Sequence, residues 1–565
     1  MKRIFLLTIL ALGLVWGLFG QKIKRSFSKA EKTFVVTEQK PFVIITPSFN
    51  NSKWCEKNLA SVFEQTYDNY RLIYIDDCST DGTADKVQEI INRLWKADKV
   101  QLIRNKVNKG AMENFYHAVH SCSDQEIVVC LDGDDWLAHD KVLERLNEFY
   151  AHPDVWLAYG GYREYPSYNK GCYSKKFSSW VINHNNFRNH PWQTSHIRTF
   201  YAGLFKQIKL QDLFKDGKFV ATSCDVAMMI PMLEMAGKRI FFIKKDIFYI
   251  YNHANPLNDD AQRWKDQLTT QEYIRALPKY TPLASFEQKS LPDKSDLIIF
   301  SFDGPMQLYA LLESAYKYVE NMGEISVIYR SSMPEFSQGY ESVKNQFPEV
   351  KFLEQGQEPR RDFKPLVMQA LSSGKSDHVA FVVDDVIVKD AVDLKVCIEA
   401  MEETKAYGFY LRLGSHVDHC YMLGSPQNIP PLTQVGEAFA WQFGSGELDW
   451  KYPNSVDFTI YRKDEVNKRV GKLEFYNPKT LEERWAEKGN TKKKVGLCFA
   501  HSKVVNIPLN LTELSPNRAI HSYSREDLLK RFLDGLKIDI TPFHQVKNNS
   551  PHMEYEVAFI GRNDD

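Results

Sequence analysis

The stretch that constrains this chain most is Ile127–Lys141, IVVCLDGDDWLAHDK. Its apolar run reads as a buried strand. The run stops at Asp132-Gly133-Asp134-Asp135, and a helical pattern starts at Val142. Carboxylates crowded at the mouth of a parallel strand repel one another unless a cation neutralises them. In open α/β sheets that mouth is also where ligands bind. Gly133 lets the backbone turn sharply, so the flanking carboxylates can face one point. The stretch therefore points to a divalent cation carrying a phosphorylated substrate, with an acidic helix-capping turn as the plain alternative. An EF-hand loop is excluded. Counted from Asp132, its fifth and twelfth positions are Trp136 and Leu143, where oxygen ligands are needed.

The flanking sequence repeats the arrangement. Phe42–Ile45 reads as a strand ending in Thr46-Pro47-Ser48, and Asn58 to Gln65 as a helix. Arg71–Ile75 is a second strand, and it too ends in acids, Asp76-Asp77. Ala84–Leu94 reads as helix, Val100–Ile103 as strand and Lys109–His120 as helix. Such alternation predicts a mainly parallel sheet flanked by helices, its crevice collecting Asp76, Asp77, Asp132 and Asp134.

Composition excludes several classes. Lys plus Arg equals Asp plus Glu, 72 each, so no bulk field favours nucleic acid. Nine cysteines lie without a CxxC pair or zinc spacing and suggest mostly reduced thiols. No GxGxxG follows the first strand, which disfavours a dinucleotide fold. Gly374-Lys375-Ser376 imitates the end of a P-loop, but Gln369 stands where the leading glycine belongs.

Five segments in order then carry a resemblance: Val43–Asn50 (VIITPSFN), Leu59–Thr66 (LASVFEQT), Ile75–Thr83 (IDDCSTDGT), Asn108-Lys109-Gly110 with Asn114, and Asp132-Gly133-Asp134. Together they resemble the opening of a family-2 glycosyltransferase with the GT-A fold, over about residues 40–260. The resemblance implies that Thr46, Pro47, Asp76 and Asp77 line a nucleoside pocket. It implies that Asn108, Lys109 and Gly110 border the nucleotide, and that Asp132 reaches the ribose or the metal. Asp134 would ligate Mn2+ or Mg2+ on the diphosphate, a Lewis acid for the leaving nucleotide. Thr222–Ala227 resembles the family's acidic motif at a helix head, making Asp225 the candidate base, with a plain N-cap as the alternative. A cysteine, Cys224, replaces the more usual acidic neighbour. Tyr249–Asp259 resembles the late loop over the diphosphate, where His253 is a candidate metal ligand. Ser195–Phe200 is either part of the site or a solvated loop with a structural histidine.

The α/β pattern restarts after a polar linker, residues 263–294. Asp296–Phe300, Ile325–Tyr329 and Val379–Val383 read as strands, the last ending in Asp384-Asp385. Trp450-Lys451-Tyr452-Pro453 and Asn477–Glu482 make this half similar to looser glycosyltransferase-like domains. Asp384 and Asp385 would take the metal role there, with Asp457 or Glu482 as a candidate base. The expected organisation is an N-terminal segment 1–25, tandem GT-A-like domains at 38–262 and 295–545, and a loosely ordered tail at 546–565.

Ile4–Gly20 is apolar apart from Thr8, about 26 Å as a helix, and implies a membrane anchor or a cleaved signal segment leading to a secreted or lumenal product. Asn50, Asn510 and Asn548 sit in N-x-Ser/Thr sequons. The resemblance implies transfer, with inversion, from a nucleotide-diphosphate sugar, UDP-linked by expectation, to a glycan or lipid-linked acceptor. The alternative is a carbohydrate-binding or scaffold protein made of degenerate transferase folds. A nucleotidyltransferase should show a Gly-rich, basic triphosphate loop near its start, and Thr46–Ser52 has neither feature.

Overall fold

The computed structural model describes residues 36, 38–257, 263–287, 293–356, 358–487, 490–509 and 523–562. The Ile4–Gly20 segment and Asn510 lie outside them. Among the described residues, no helix is long and apolar enough to cross a membrane.

The first half is built on seven strands: β1 (Phe42–Ser48), β2 (Tyr70–Asp76), β3 (Val100–Arg104), β4 (Ile127–Cys130), β5 (Leu157–Tyr159), β6 (Arg198–Tyr201) and β7 (Ile240–Phe242). They lie in the order β3-β2-β1-β4-β6-β5-β7. All run parallel except β6, which is antiparallel to both neighbours. β1 and β4 are buried almost throughout because helices cover both faces, so their sequences are continuous apolar runs rather than alternating ones. Helix α1 (Cys55–Phe63) buries Cys55, Asn58, Leu59 and Val62. A short strand, β8 (Tyr249–Asn252), passes in front of the sheet and pairs with Trp136 and Leu137.

The second half repeats this topology. Its strands are β9 (Ser295–Phe302), β10 (Met322–Arg330), β11 (Lys351–Glu354), β12 (His378–Val383), β13 (Gly408–Tyr410), β14 (Thr433–Val435), β15 (Ala438–Gln442), β16 (Thr459–Arg462) and β17 (Val495–Phe499). The order is β11-β10-β9-β12-β16-β13-β17-β15-β14. With the β14–β15 hairpin set aside, it is the first sheet's order again, and β16 takes the antiparallel place of β6. The chain therefore holds two α/β sheets of one design, in agreement with the tandem expectation.

Two segments differ from their sequence readings. The stretch expected as a linker packs on the first half: Tyr280 donates to Asp212 at 2.5 Å, and the Phe286 ring lies 4.8 Å from Trp156. The stretch expected as a loose tail is built into the second half. Its Phe559–Gly561 pairs with Leu536–Ile538, and Val557 is buried. Both carry aromatic or apolar side chains that gain by burial despite polar surroundings in sequence. All nine cysteines are free, as expected for reduced thiols.

Candidate active site

The strand ends of the first sheet meet at one mouth. β1 and β2 end level, Ser48 beside Asp76, and Cys130 of β4 pairs with Ile45. Because β6 runs the other way, its first residue, Arg198, sits opposite Cys130 and so enters the same mouth.

On the β2 side the two adjacent aspartates have different tasks. The Asp77 carboxylate accepts from Asn105 Nδ2 at 2.8 Å and from the backbone N–H groups of Lys109 at 2.9 Å and Gly110 at 2.8 Å. Its carbonyl accepts from Asn108 Nδ2 at 3.1 Å. Asp77 thus fastens the Asn108–Gly110 loop and heads helix α2 (Ala111–His120). Gly110 takes φ +81°, a conformation a side chain rarely adopts. Asp76 behaves differently. One of its oxygens accepts from Ser79 N–H at 3.2 Å, and the other, Oδ1, is buried without a partner among the described residues. Thr46 Oγ1 is buried and unpartnered in the same way, on the strand between Asp76 and Asp132, and Pro47 pairs with Ile75 beside it. Such orphaned polar atoms mark a surface that awaits a polar ligand.

On the β4 side the acidic loop is held close to β1. A Cβ on Gly133 would meet Ser48 Oγ at 2.5 Å and Asn51 Nδ2 at 3.0 Å, so glycine alone permits this approach. Asp134 accepts from Asn255 Nδ2 at 2.8 Å, and burial pushes its carboxyl up to about 6, with the Asp132 charge adding to the effect. Asp135 lies deeper. It accepts from Tyr249 Oη at 2.6 Å and Asn252 N–H at 2.7 Å, which ties β8 to the loop. Burial, then the charges of Asp134 and Asp132, raise the Asp135 carboxyl well above the usual carboxylate range.

Arg198 joins the acidic loop to the helix head. Its guanidinium lies 3.4 Å from Asp132 Oδ2 and 3.2 Å from Asp225 Oδ2, and its side chain is buried. Burial works against its charge, yet Asp132 and Asp225 raise its pKa above the ordinary value. Asp225 lies in the first turn of helix α3 (Cys224–Ala236), and its other oxygen accepts from Val226 N–H at 2.8 Å. From Val226 to Ala236 this helix is buried on every side, which makes it a rigid base for the carboxylate.

The cation-binding expectation named Asp132, Asp134 and His253. The structure brings ligand atoms of Asp132, Asp135 and His196 within 4.8 Å of one another. His196 is sandwiched between Tyr249 and Tyr251, at ring distances of 4.5 and 4.9 Å. Its Nδ1 is buried without a hydrogen-bond partner among the described residues, 3.9 Å from Asp132 Oδ2. Burial, then the neighbouring Arg198, holds the imidazole well below its usual pKa and therefore neutral, the form that ligates metal. His253 stands apart: it is half exposed, 3.9 Å from Glu164 and against the Tyr251 ring. With an orphaned imidazole nitrogen beside clustered carboxylates, the donor set fits a divalent cation.

Arg198 and His196 had no role assigned from sequence, and Ser195–Phe200 is not a solvated loop: Arg198–Tyr201 is a fully buried strand. The available signal was the apolar run Phe200–Leu204 that Arg198 precedes.

The second sheet has its own acidic mouth. Asp384 accepts from Ser301 Oγ at 2.6 Å, and burial pushes it up to about 7. Asp385 is raised well above the usual range by burial and by its neighbours Asp384 and Asp457. Asp457, just before β16, accepts from Asn506 Nδ2 at 3.2 Å. Glu482, pushed up to about 8 by burial and by Asp457, accepts from Val456 N–H at 2.7 Å.

Residues 43–214 match the family model described as glycosyl transferase family 2. The chain is 25% identical over 199 residues to the bifunctional glycosyltransferase pgtA of Dictyostelium discoideum, covering 32% of this chain and 25% of that protein. It is 32% identical over 120 residues to UDP-Glc:alpha-D-GlcNAc-diphosphoundecaprenol beta-1,3-glucosyltransferase WfgD of Escherichia coli, covering 21% and 44%. Among solved structures, S. aureus TarS 1-349 in complex with UDP-GlcNAc is 16% identical over 41% of this chain and 65% of that one, with a TM-score of 0.34. The match thus spans a quarter to under half of the two curated relatives' lengths.

Proposed function

From the premise that residues 43–214 carry a glycosyl transferase family 2 domain, we propose that the first half transfers a sugar, with inversion, from a UDP-linked donor to a glycan or lipid-linked acceptor. The observation that carries this reading is the convergence at one mouth of the orphaned Asp76 oxygen, the Asp132–Asp134 loop and Asp225, the last two joined through Arg198. The Asp76 carboxylate and Thr46 hydroxyl accept and donate to the nucleoside, and the loop fastened by Asp77 borders it. Asp132 and Asp134 would hold a divalent cation, Mn2+ or Mg2+, with Asp135 and His196 close to Asp132; once bound it would neutralise charge on the leaving diphosphate. Asp225 takes the proton from the acceptor hydroxyl as its oxygen attacks the anomeric carbon. Arg198 pairs with that carboxylate at 3.2 Å and aims it. The UDP and lipid-linked assignments draw support from the name of the E. coli relative. Attachment to a membrane through Ile4–Gly20 belongs to the same proposal and rests on the apolar sequence.

The test is a panel of nucleotide sugars incubated with the full chain, with and without manganese, read by mass spectrometry. Release of UDP from one donor with manganese, abolished by chelation, is the expected result. No turnover of any donor, with the chain folded and manganese present, would count against catalysis and favour the carbohydrate-binding alternative.

A further inference from the structure

Outside the first mouth, the described residues form a cleft of about 960 Å³ in the second half, the upper end of the size range of small-molecule sites. Its position follows from the topology. Lys389 and Asp390 come shortly after β12, His416 and His419 after β13, and His501 after β17. Those three strands run parallel, so the cleft opens at their carboxyl ends, where an α/β sheet of this kind binds ligands. The fourth wall is the segment 545–554, and it is fixed in place. Gln545 N–H donates to Lys389 O at 2.9 Å, His419 N–H to Asn549 O at 3.0 Å and Tyr421 N–H to Ser550 Oγ at 3.1 Å. The cleft is therefore preformed.

Its charge is unlike that of the first mouth. Asp390 is taken up by Lys503 at 2.7 Å, and Glu554 accepts from Tyr421 Oη at 3.0 Å. Lys389 and Lys547 remain as cations, accompanied by four histidines. Lys389 is 4% exposed and uses one N–H on the Val546 carbonyl at 2.9 Å. Burial lowers the Lys389 pKa; the neighbouring Asp390 opposes this and the like charge of Lys503 adds to it. Asp390 is thus one carboxylate facing two ammonium groups, Lys389 and Lys503, so the buried ammonium gains from a further anion. The lining lysines favour an anion as the occupant. Lysine presents a point charge suited to phosphate oxygens, and histidine N–H groups add direction.

We propose that this cleft is a second ligand site, separate from the first mouth, that takes a phosphate-bearing ligand with its phosphate against Lys389 and Lys547. The phosphate can belong to a nucleotide or to a phosphorylated sugar, and the two share this chemistry. The inference uses none of the residues assigned to donor transfer, so failure of either leaves the other standing.

The experiment is calorimetric titration of the full chain with inorganic pyrophosphate in EDTA, which silences a metal-dependent first site. Saturable binding is expected, weakened about tenfold in Lys547→Glu and in His501→Ala, both surface positions that the fold does not need. Asp134→Asn should bind pyrophosphate as the unmodified chain does. Competition then separates the sources: displacement by UDP identifies a nucleotide, and displacement by glucose 1-phosphate but not UDP identifies a phosphorylated sugar. Absence of saturable binding, or binding lost in Asp134→Asn yet kept in both cleft variants, would overturn the proposal.

Discussion

At Arg198 one guanidinium faces two carboxylates that the chain supplies from segments almost a hundred residues apart, Asp132 and Asp225. The planar fork of arginine suits this bridge, because its two terminal nitrogens can each serve a different oxygen. Removing it leaves two partly buried negative charges without their partner. Arg198→Ala should therefore cost on the order of 3 kcal/mol of stability, and donor turnover should fall with it. Arg198→Lys keeps a charge but reaches one carboxylate at a time, so it should recover part of the stability and little of the turnover. Thermal unfolding and donor release measured on both variants check this. Wild-type values for Arg198→Ala would remove the bridge from the account.

The elements explain why neighbouring identical residues act differently. Asp76 is the last residue of β2, and Asp77 is the first beyond it. One turn of backbone sends the first carboxylate into the mouth and the second to the N-terminus of α2, where the N–H groups of Lys109 and Gly110, together with Asn105 Nδ2, receive it. Asp77→Ala should destabilise the chain by about 1–2 kcal/mol and loosen the Asn108–Gly110 loop. Asp76→Ala should leave the melting temperature close to unchanged and weaken nucleotide binding instead. Unfolding curves paired with a UDP titration in manganese separate the two. Equal destabilisation by both would mean that Asp76 is structural. This division also shows what sequence could and could not reveal. The strand-then-acid junctions at Asp76 and Asp132 were legible because parallel strands covered on both faces must be apolar runs, and their polar ends stand out. Which aspartate keeps a bare oxygen was not legible, since that depends on where Asn105 and Gly110 return in space. Arg198 and His196 were singled out only within Ser195–Phe200, and their roles were not legible for a similar reason. Their position comes from the antiparallel register of β6 against β4, and no local periodicity encodes a register between strands 70 residues apart.

At the scale of the whole molecule, the chain carries the same strand order twice and ends the fourth strand of each sheet in paired acids, Asp132–Asp135 and Asp384–Asp385. The second repeat was visible in sequence through its strands and acids. Its cleft was not, because the wall at 545–554 is polar and resembles a tail until its backbone bonds are seen. The mouths differ in what accompanies the acids. Two residues into the first mouth from its antiparallel strand stands His196, followed by Arg198 at the strand's start, whereas the corresponding approach to β16 carries Asp457. Each mouth has a buried arginine near its carboxylates: Arg198 in the first, and Arg412, which faces Asp457 and Glu482, in the second. The second gathers Asp384, Asp385, Asp457 and Glu482, three of them shifted upward in pKa by burial and mutual repulsion. Donor transfer is proposed for the first sheet because the family model matches there, and the measurement that tests this most directly compares Asp134→Asn with Asp385→Asn in one assay of manganese-dependent UDP release. The expected result is a loss of about a hundredfold or more in Asp134→Asn and a rate close to wild type in Asp385→Asn. Matched loss in both variants, with both chains folded, would contradict the assignment and make the two mouths one composite site.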